Sequence, residues 1–227
     1  MNSMVLLGVD TSGKNGSLAL ARVTPGKSEI EVLEVVPLAG GTFSAELVPQ
    51  VAALLQKHGF QKSDLAGFAV ASGPGSFTGL RVGLAAVKAL AEILQKPIAA
   101  VSLLEAVARS GAGNGRALSA LDAGRGEVYA GDYLLGPSVF MNSERLLGKD
   151  EFLAEAEGQV VVTADAGIAE AARAAGIRVE QVDYPGSDVI ARLGWERIER
   201  GQTVSPEEME ANYIRRSDAE IFSKPKR

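Results

Sequence analysis

The order of secondary-structure signals in this chain is written twice, and that doubling constrains the fold more than any single motif. In the first half, Met4 to Val9 is an apolar run that stops at Asp10, followed by a polar turn (Thr11, Ser12, Gly13, Lys14, Asn15, Gly16) and the alternating Leu18, Leu20 and Val23. This pattern predicts a hairpin. Alternation from Ile30 to Val35 adds a third strand that ends near Pro37. After Gly40, Gly41 and Thr42 the spacing predicts a helix from about Ser44 to His58, kinked in its early turns by Pro49. A buried strand (Ala66 to Ala71), a glycine-rich turn, a long helix (Thr78 to Gln95) stopped by Pro97, a short strand (Ile98 to Val101) and a helix capped by Ser102 complete the half.

Gly111, Gly113 and Gly115 mark a junction, and the order then restarts. Strands are predicted at Ala117 to Leu121 and Glu127 to Leu135, with a weaker third near Ser138 to Met141. Helices at Asp150 to Ala156, Ala166 to Ala175 and Ser187 to Arg200 follow, with strands at Val160 to Thr163 and Val179 to Val182 between them. Two small α/β subdomains are therefore expected, residues 1–110 and 111–227, the second ending in a basic tail at 223–227. In both halves the first strand ends on an aspartate before a tight turn: Asp10-Thr11-Ser12-Gly13 and Asp122-Ala123-Gly124-Arg125. This is the layout of the actin-like ATPase fold (the ASKHA group, ribonuclease H-like), a duplicated fold in which paired hairpins flank a nucleotide cleft. A carboxylate after the first strand suits a metal-bound water, and turn N–H groups suit phosphate. An aspartate in a turn also commonly bonds its own backbone, and the pattern leaves both readings open.

The loop Ser72-Gly73-Pro74-Gly75-Ser76-Phe77-Thr78-Gly79-Leu80-Arg81 lies between a buried strand and a helix, a position that aims N–H groups at an anion. It is not a Walker A loop: five residues separate Gly73 from Gly79, and Leu80 stands where lysine is required. Nor is it a dinucleotide fingerprint, because Thr78 occupies the third glycine position. With the turn it gives a candidate vestigial nucleotide cleft of Asp10, Thr11, Ser12, Gly73, Gly75, Ser76 and Asp122.

The helix behind the loop carries only three charged residues, Arg81, Lys88 and Glu92, on one narrow stripe. One apolar face holds Leu80, Leu84, Val87, Ala91 and Leu94; another holds Gly79, Gly83, Ala86, Leu90 and Ile93. The preceding helix is similarly apolar through Leu47, Val48, Val51, Ala52, Leu54 and Leu55. Covering a sheet takes one apolar face, so the surplus predicts either a protein partner or burial under the second subdomain. The candidate partner face comprises Leu47, Val48, Val51, Leu55, Gly79, Leu80, Gly83, Leu84, Val87 and Leu90.

Composition removes several chemistries. The 227 residues include no cysteine and one histidine, with 23 Lys+Arg against 28 Asp+Glu and a formal charge of -5. There is no thiolate metal site, no cysteine nucleophile and no multi-histidine site, and a Ser-His-Asp triad would have to use His58, which is better read as a solvated helix end. Neither metal nor cofactor is expected. The acidic balance opposes autonomous nucleic-acid binding; the basic residues gather only at Arg215 and Arg216 and at Lys224, Lys226 and Arg227. No signal peptide or membrane-spanning stretch is visible, so a cytoplasmic chain is expected.

The chain resembles the TsaB (YeaZ) family, the dimerisation subunit in the biosynthesis of threonylcarbamoyladenosine in tRNA. The resemblance is carried by Leu6-Leu7-Gly8-Val9-Asp10-Thr11-Ser12, by Ser72 to Gly83, by Leu121-Asp122-Ala123-Gly124-Arg125-Gly126-Glu127-Val128-Tyr129, and by Tyr213-Ile214-Arg215. It implies an accessory, non-catalytic subunit that holds and activates TsaD, which transfers the threonylcarbamoyl group to N6 of the adenosine next to the anticodon in tRNAs reading A-starting codons. TsaE supplies ATPase activity to the assembly, and tRNA is met through the complex. The first two long helices are implied to mediate pairing with TsaD or, in isolation, a homodimer. Phe43 stands where many relatives have histidine, Gly124 where arginine is usual and Ala211 where proline is common, which argues against metal or acid-base roles at those positions. The competing class is an actin-fold ATP-dependent phosphotransferase using Asp10, Asp122 and the Gly73 to Gly79 loop.

Overall fold

The computed structural model describes residues 4–111 and 113–215, which divide into two units, 4–106 with 184–211, and 107–183 with 212–215. In the first unit, β1 (Met4–Asp10) pairs antiparallel with β2 (Gly16–Val23), and β2 with β3 (Glu31–Leu38). On the other side β1 pairs parallel with β4 (Leu65–Gly73), and β4 with β5 (Ile98–Ser102). The sheet order is β3-β2-β1-β4-β5. A strand with neighbours on both sides and layers on both faces must be apolar throughout, and β4 is buried at every residue. β3 lies at the edge, where Glu31, Glu34 and Pro37 blunt it against further pairing.

Helices α1 (Phe43–Lys57) and α2 (Phe77–Leu94) connect these strands, and their inward sides join the core of this sheet. Phe43, Leu47, Val51, Leu54 and Leu55 recur at the three- and four-residue spacing of one helical face, which is the face α1 buries. Pro49 lies inside α1 on its exposed side, where the missing N–H leaves no buried carbonyl unpaired. Ser102 Oγ accepts from Leu104 N at 3.2 Å as α3 (Leu103–Ser110) begins.

The second unit repeats the topology. β6 (Gly115–Gly124) pairs antiparallel with β7 (Glu127–Leu135), β7 with β8 (Phe140–Gly148), and β6 parallel with β9 (Val160–Thr163), beside which lies β10 (Arg178–Gln181). The order β8-β7-β6-β9-β10 matches the first sheet strand for strand. α4 (Lys149–Glu155) and α5 (Ala166–Ala174) occupy the places of α1 and α2, over a core that includes Leu118, Val128, Leu147, Phe152, Val161 and Ile168. The two halves are an actin-like duplicated α/β fold. β8 is longer and later than the strand expected near Ser138 to Met141, because its polar centre, Asn142 to Arg145, offers no apolar run to read in an edge strand.

A single cut at residues 110 and 111 does not describe the chain. Residues 184–211, expected in the second half, belong to the first unit because α6 (Ser187–Glu199) lies on the first sheet. Small residues permit the close approach: a Cβ on Gly8 would meet Ala191 Cβ at 2.9 Å, and one on Gly194 would meet Ala99 Cβ at 3.5 Å and collide with Ala69. Trp195 is buried, and its Nε1 donates to Lys27 O at 2.7 Å. Among the described residues, no helix is long and apolar enough to cross a membrane. The basic tail at 223–227 lies outside them.

Candidate functional site

Each unit turns on an aspartate, and the two turns are built differently. In the first unit β1 delivers Asp10 to the end of the central strand with 3% of its surface exposed. Its Oδ1 accepts from Ser12 N at 2.9 Å and from the Ser12 hydroxyl. Burial pushes the Asp10 carboxyl above the usual carboxylate range, and the Ser12 bonds act against that shift.

The glycine loop closes on this turn. Gly73, with φ of +116°, turns the chain out of β4. Ser76 N donates to Ser12 O at 2.6 Å, Gly79 N to Ser76 Oγ at 3.3 Å, and Thr11 Oγ1 to Gly79 O at 2.8 Å. A Cβ on Gly75 would meet Ser12 O at 2.5 Å, while one on Gly79 would collide with Thr11 O. Thr11 and Ser12 therefore fill the concavity that the glycines open, and the N–H groups of Ser76 and Gly79 already have partners, Ser12 O in the turn and Ser76 Oγ in the loop. The structure brings Asp10, Thr11, Ser12, Gly75 and Ser76 together in one cluster, hydrogen-bonded at Asp10–Ser12 and Ser12–Ser76, with Gly75 packed on Ser12 and Gly73 as the turn leading into it. Phe43 packs beneath it, 7% exposed, with ring atoms 3.0 and 3.2 Å from where a Gly16 Cβ would stand.

In the second unit Asp122 heads the equivalent turn and is exposed. Its Oδ1 accepts from Gly124 N at 2.9 Å, the same two-residue bond that Asp10 makes. No glycine loop follows β9; instead Asp165 Oδ2 accepts from Asp122 N at 2.8 Å, and Thr163 Oγ1 donates to Ala120 O at 2.8 Å. Gly124, Arg125 and Gly126 are all left-handed, with φ of +73°, +57° and +77°. This accounts for glycine at 124. Arg215 spans the turn, donating to Ala123 O at 2.7 Å and pairing with Glu127. Burial raises the Tyr129 phenol, and the Arg215 charge acts in the opposite direction.

Arg215 is thus engaged in structure rather than offered as a surface cation, which corrects its grouping with the basic patch; Arg216, Lys224, Lys226 and Arg227 lie outside the described residues. The roles of Asp165 and Arg215 escaped the sequence reading because their partners lie 43 and 88 or more residues away. His58 Nε2 lies 2.8 Å from Glu34 Oε2, and Lys57 Nζ donates to Glu34 Oε1 at 2.7 Å, so the end of α1 is tied to β3. Lys57 and then His58 hold the Glu34 carboxyl below its usual range. No group of three or more His, Cys, Asp or Glu among the described residues is placed to hold a metal ion.

Burial corrects most of the expected partner face. Leu47, Val51, Leu55, Leu80, Leu84 and Val87 are 6% exposed or less and form the first unit's own core, and Gly79 and Gly83 face Thr11. A sheet-covering helix uses its widest apolar side inward, so the strongest hydrophobes of the sequence pattern are the core. What remains outside is Val48 at 49% exposure on α1 and Ile93 at 75% on α2. Leu90 is half-buried, and exposed Ala45, Ala52, Ala53, Ala85 and Ala89 lie around them.

A family model described as "TsaD: tRNA N6-adenosine threonylcarbamoyltransferase" matches residues 35–144. The tRNA threonylcarbamoyladenosine biosynthesis protein TsaB of Bacillus subtilis is 37% identical over 131 residues, covering 57% of this chain and 55% of that protein. The chain thus matches about half the length of that relative. The protein of the same name in Escherichia coli is 27% identical over 229 residues, covering 95% of this chain and 96% of the relative. A solved structure described as YeaZ from Pseudomonas aeruginosa superposes with a TM-score of 0.71 at 26% identity, covering 92% of this chain and 99% of the other.

Proposed function

We propose, for a chain that belongs to the TsaB (YeaZ) family, that it acts in the biosynthesis of tRNA threonylcarbamoyladenosine as the subunit that binds TsaD and activates it. TsaD transfers the threonylcarbamoyl group to N6 of the adenosine beside the anticodon; this chain contributes a docking surface and no reacting group. The observation that carries the reading is the end-to-end likeness to the Escherichia coli relative. The outward sides of α1 and α2 support it, because Val48, Leu90 and Ile93 leave apolar area uncovered on two adjacent helices. A second copy of the chain occupies this face when TsaD is absent, TsaE joins through the assembly, and tRNA is met through the complex in the cytoplasm.

The closed turn at Asp10 disfavours the alternative of an ATP-dependent phosphotransferase, because the loop's donors at Ser76 and Gly79 are already paired. Co-purification of the intact chain with its cognate TsaD tests the proposal. A stable complex that raises the rate of threonylcarbamoyl transfer is expected. A folded chain that binds no TsaD, or one that hydrolyses Mg-ATP rapidly alone, would overturn it.

A further inference from the structure

The glycine loop and the β1–β2 turn meet along a line with a four-residue repeat. Gly75, Gly79 and Gly83 each present only hydrogen where a Cβ would strike the turn: Ser12 O and Cβ for Gly75, Thr11 O for Gly79, and Thr11 Oγ1 for Gly83. Four-residue spacing keeps Gly79 and Gly83 on one side of α2. Thr11 touches both, because its Oγ1 donates to Gly79 O at 2.8 Å while the same atom packs against Gly83. Its side chain is 2% exposed, so it reaches solvent and ligands hardly at all.

The same side of α2 continues through Ala86 and Leu90, both half-buried, to Ile93 at 75% exposure. The contact with Thr11 therefore fixes where this apolar edge begins, and a helix is stiff enough to carry a displacement at Gly83 along the two to three turns that reach Ile93. We propose that Thr11 is a positioning residue: it seats α2 through Gly79 and Gly83 and so sets the place of the Leu90 and Ile93 edge that receives the partner. The inference rests on the reading that this edge binds TsaD. In this chain the loop that resembles a phosphate cradle holds a piece of its own backbone, and the glycines serve helix placement.

A compensating pair tests the seat. Gly83→Ala puts a methyl against Thr11 Oγ1; adding Thr11→Ala removes that oxygen and leaves the Thr11 Cβ position at 3.4 Å, an ordinary contact. The intact chain and its variants are titrated with TsaD, melted, and followed free in solution by hydrogen exchange across α2. Gly83→Ala is expected to weaken TsaD binding by about tenfold. The double variant is expected to recover to within about threefold of wild type, although its Tm stays lower for want of the Thr11 hydrogen bond. A purely structural role predicts the opposite, affinity that follows Tm through the series.

Should Gly83→Ala fail to fold, Thr11→Val replaces the hydroxyl by a bulkier methyl that crowds Gly83 and cannot bond Gly79 O, and it is expected to weaken binding severalfold, while Thr11→Ser keeps the hydroxyl and binds as wild type. Equal affinity for wild type and Thr11→Val would overturn the proposal. In the free chain, Gly83→Ala or Thr11→Val should speed exchange in α2, and Thr11→Ser should not; unchanged exchange in either of the first two overturns the seat itself. A wild-type chain that bound no TsaD would sink the partner reading alone, and the exchange measurement would still decide the seat.

Discussion

The turn at Asp10 and the turn at Asp122 occupy the same place in two copies of one topology, yet one is closed and the other is braced. Both aspartates accept a backbone N–H two residues on. Asp10 is buried, its turn filling the glycine loop; Asp122 is exposed, held from behind by Asp165 and flanked by the Arg215 clamp on Ala123 and Glu127. Duplication conserves the strand order and the local bond that ends the first strand. It does not conserve what packs on that bond, which is where a nucleotide site would have to be made.

The largest expected effect separates the core side of α2 from its outer side. Leu84→Glu buries an unpaired charge in the first unit's core and should cost about 3–5 kcal/mol or prevent folding. Ile93→Glu lies in solvent and should change stability by no more than about 0.5 kcal/mol while abolishing TsaD binding. Denaturant titration with a binding assay distinguishes them; equal destabilisation would show that the two sides had been misassigned.

Next comes the contrast between the turns themselves. Asp10→Ala strips both bonds from a buried Ser12 and is expected to cost about 2–3 kcal/mol, whereas Asp122→Ala on an exposed turn should cost less than about 1 kcal/mol. Similar losses at the two positions would mean that the first turn is not closed as described. Arg215→Ala should cost about 1–2 kcal/mol by freeing Ala123 O and Glu127, and it should shift the Tyr129 phenol further upward, readable by ultraviolet pH titration.

The smallest effect is one of sign in the pH dependence of stability. Asp10 has a carboxyl raised above 3.8 by burial, so the folded chain holds its proton more tightly than the unfolded chain, and stability from this group falls as pH rises through the folded value. Asp132 is lowered from 3.8, chiefly by hydrogen bonding to Arg116, so its contribution is present above the unfolded value and is lost as pH falls through the folded one. Asp10→Asn should therefore gain on wild type as pH rises from 3.8 through the folded value, whereas the deficit of Asp132→Asn should be full above 3.8 and shrink as pH falls below it. Parallel curves for the two variants would contradict this.

Much of this fold was legible in the sequence, since apolar runs, glycine punctuation and terminal aspartates place nearly every strand and helix. β8 is poorly marked because an edge strand with a polar centre lacks alternation, and the membership of α6 in the first unit is unmarked because its glycine and alanine contacts with β1 and β4 are long-range. The inward and outward sides of α1 and α2 are hidden for a related reason. Helical periodicity reveals that α1 and α2 are richly apolar, but only packing shows that Leu47, Leu84 and Val87 point inward and Val48 and Ile93 outward. Glycine spacing alone admits a phosphate cradle or an anonymous turn; that Thr11 fills the loop follows from a contact 68 residues apart in sequence.

On the proposed reading the chain works by its surface and not by reaction. The rate of threonylcarbamoyl transfer to tRNA by TsaD, measured with wild-type chain, Asp10→Asn and Ile93→Glu, tests this most directly. Wild type and Asp10→Asn should stimulate TsaD alike, and Ile93→Glu should leave it at its unassisted rate. Loss of stimulation by Asp10→Asn in a chain that still binds TsaD, with Ile93→Glu unaffected, would contradict the account and return Asp10 to chemistry.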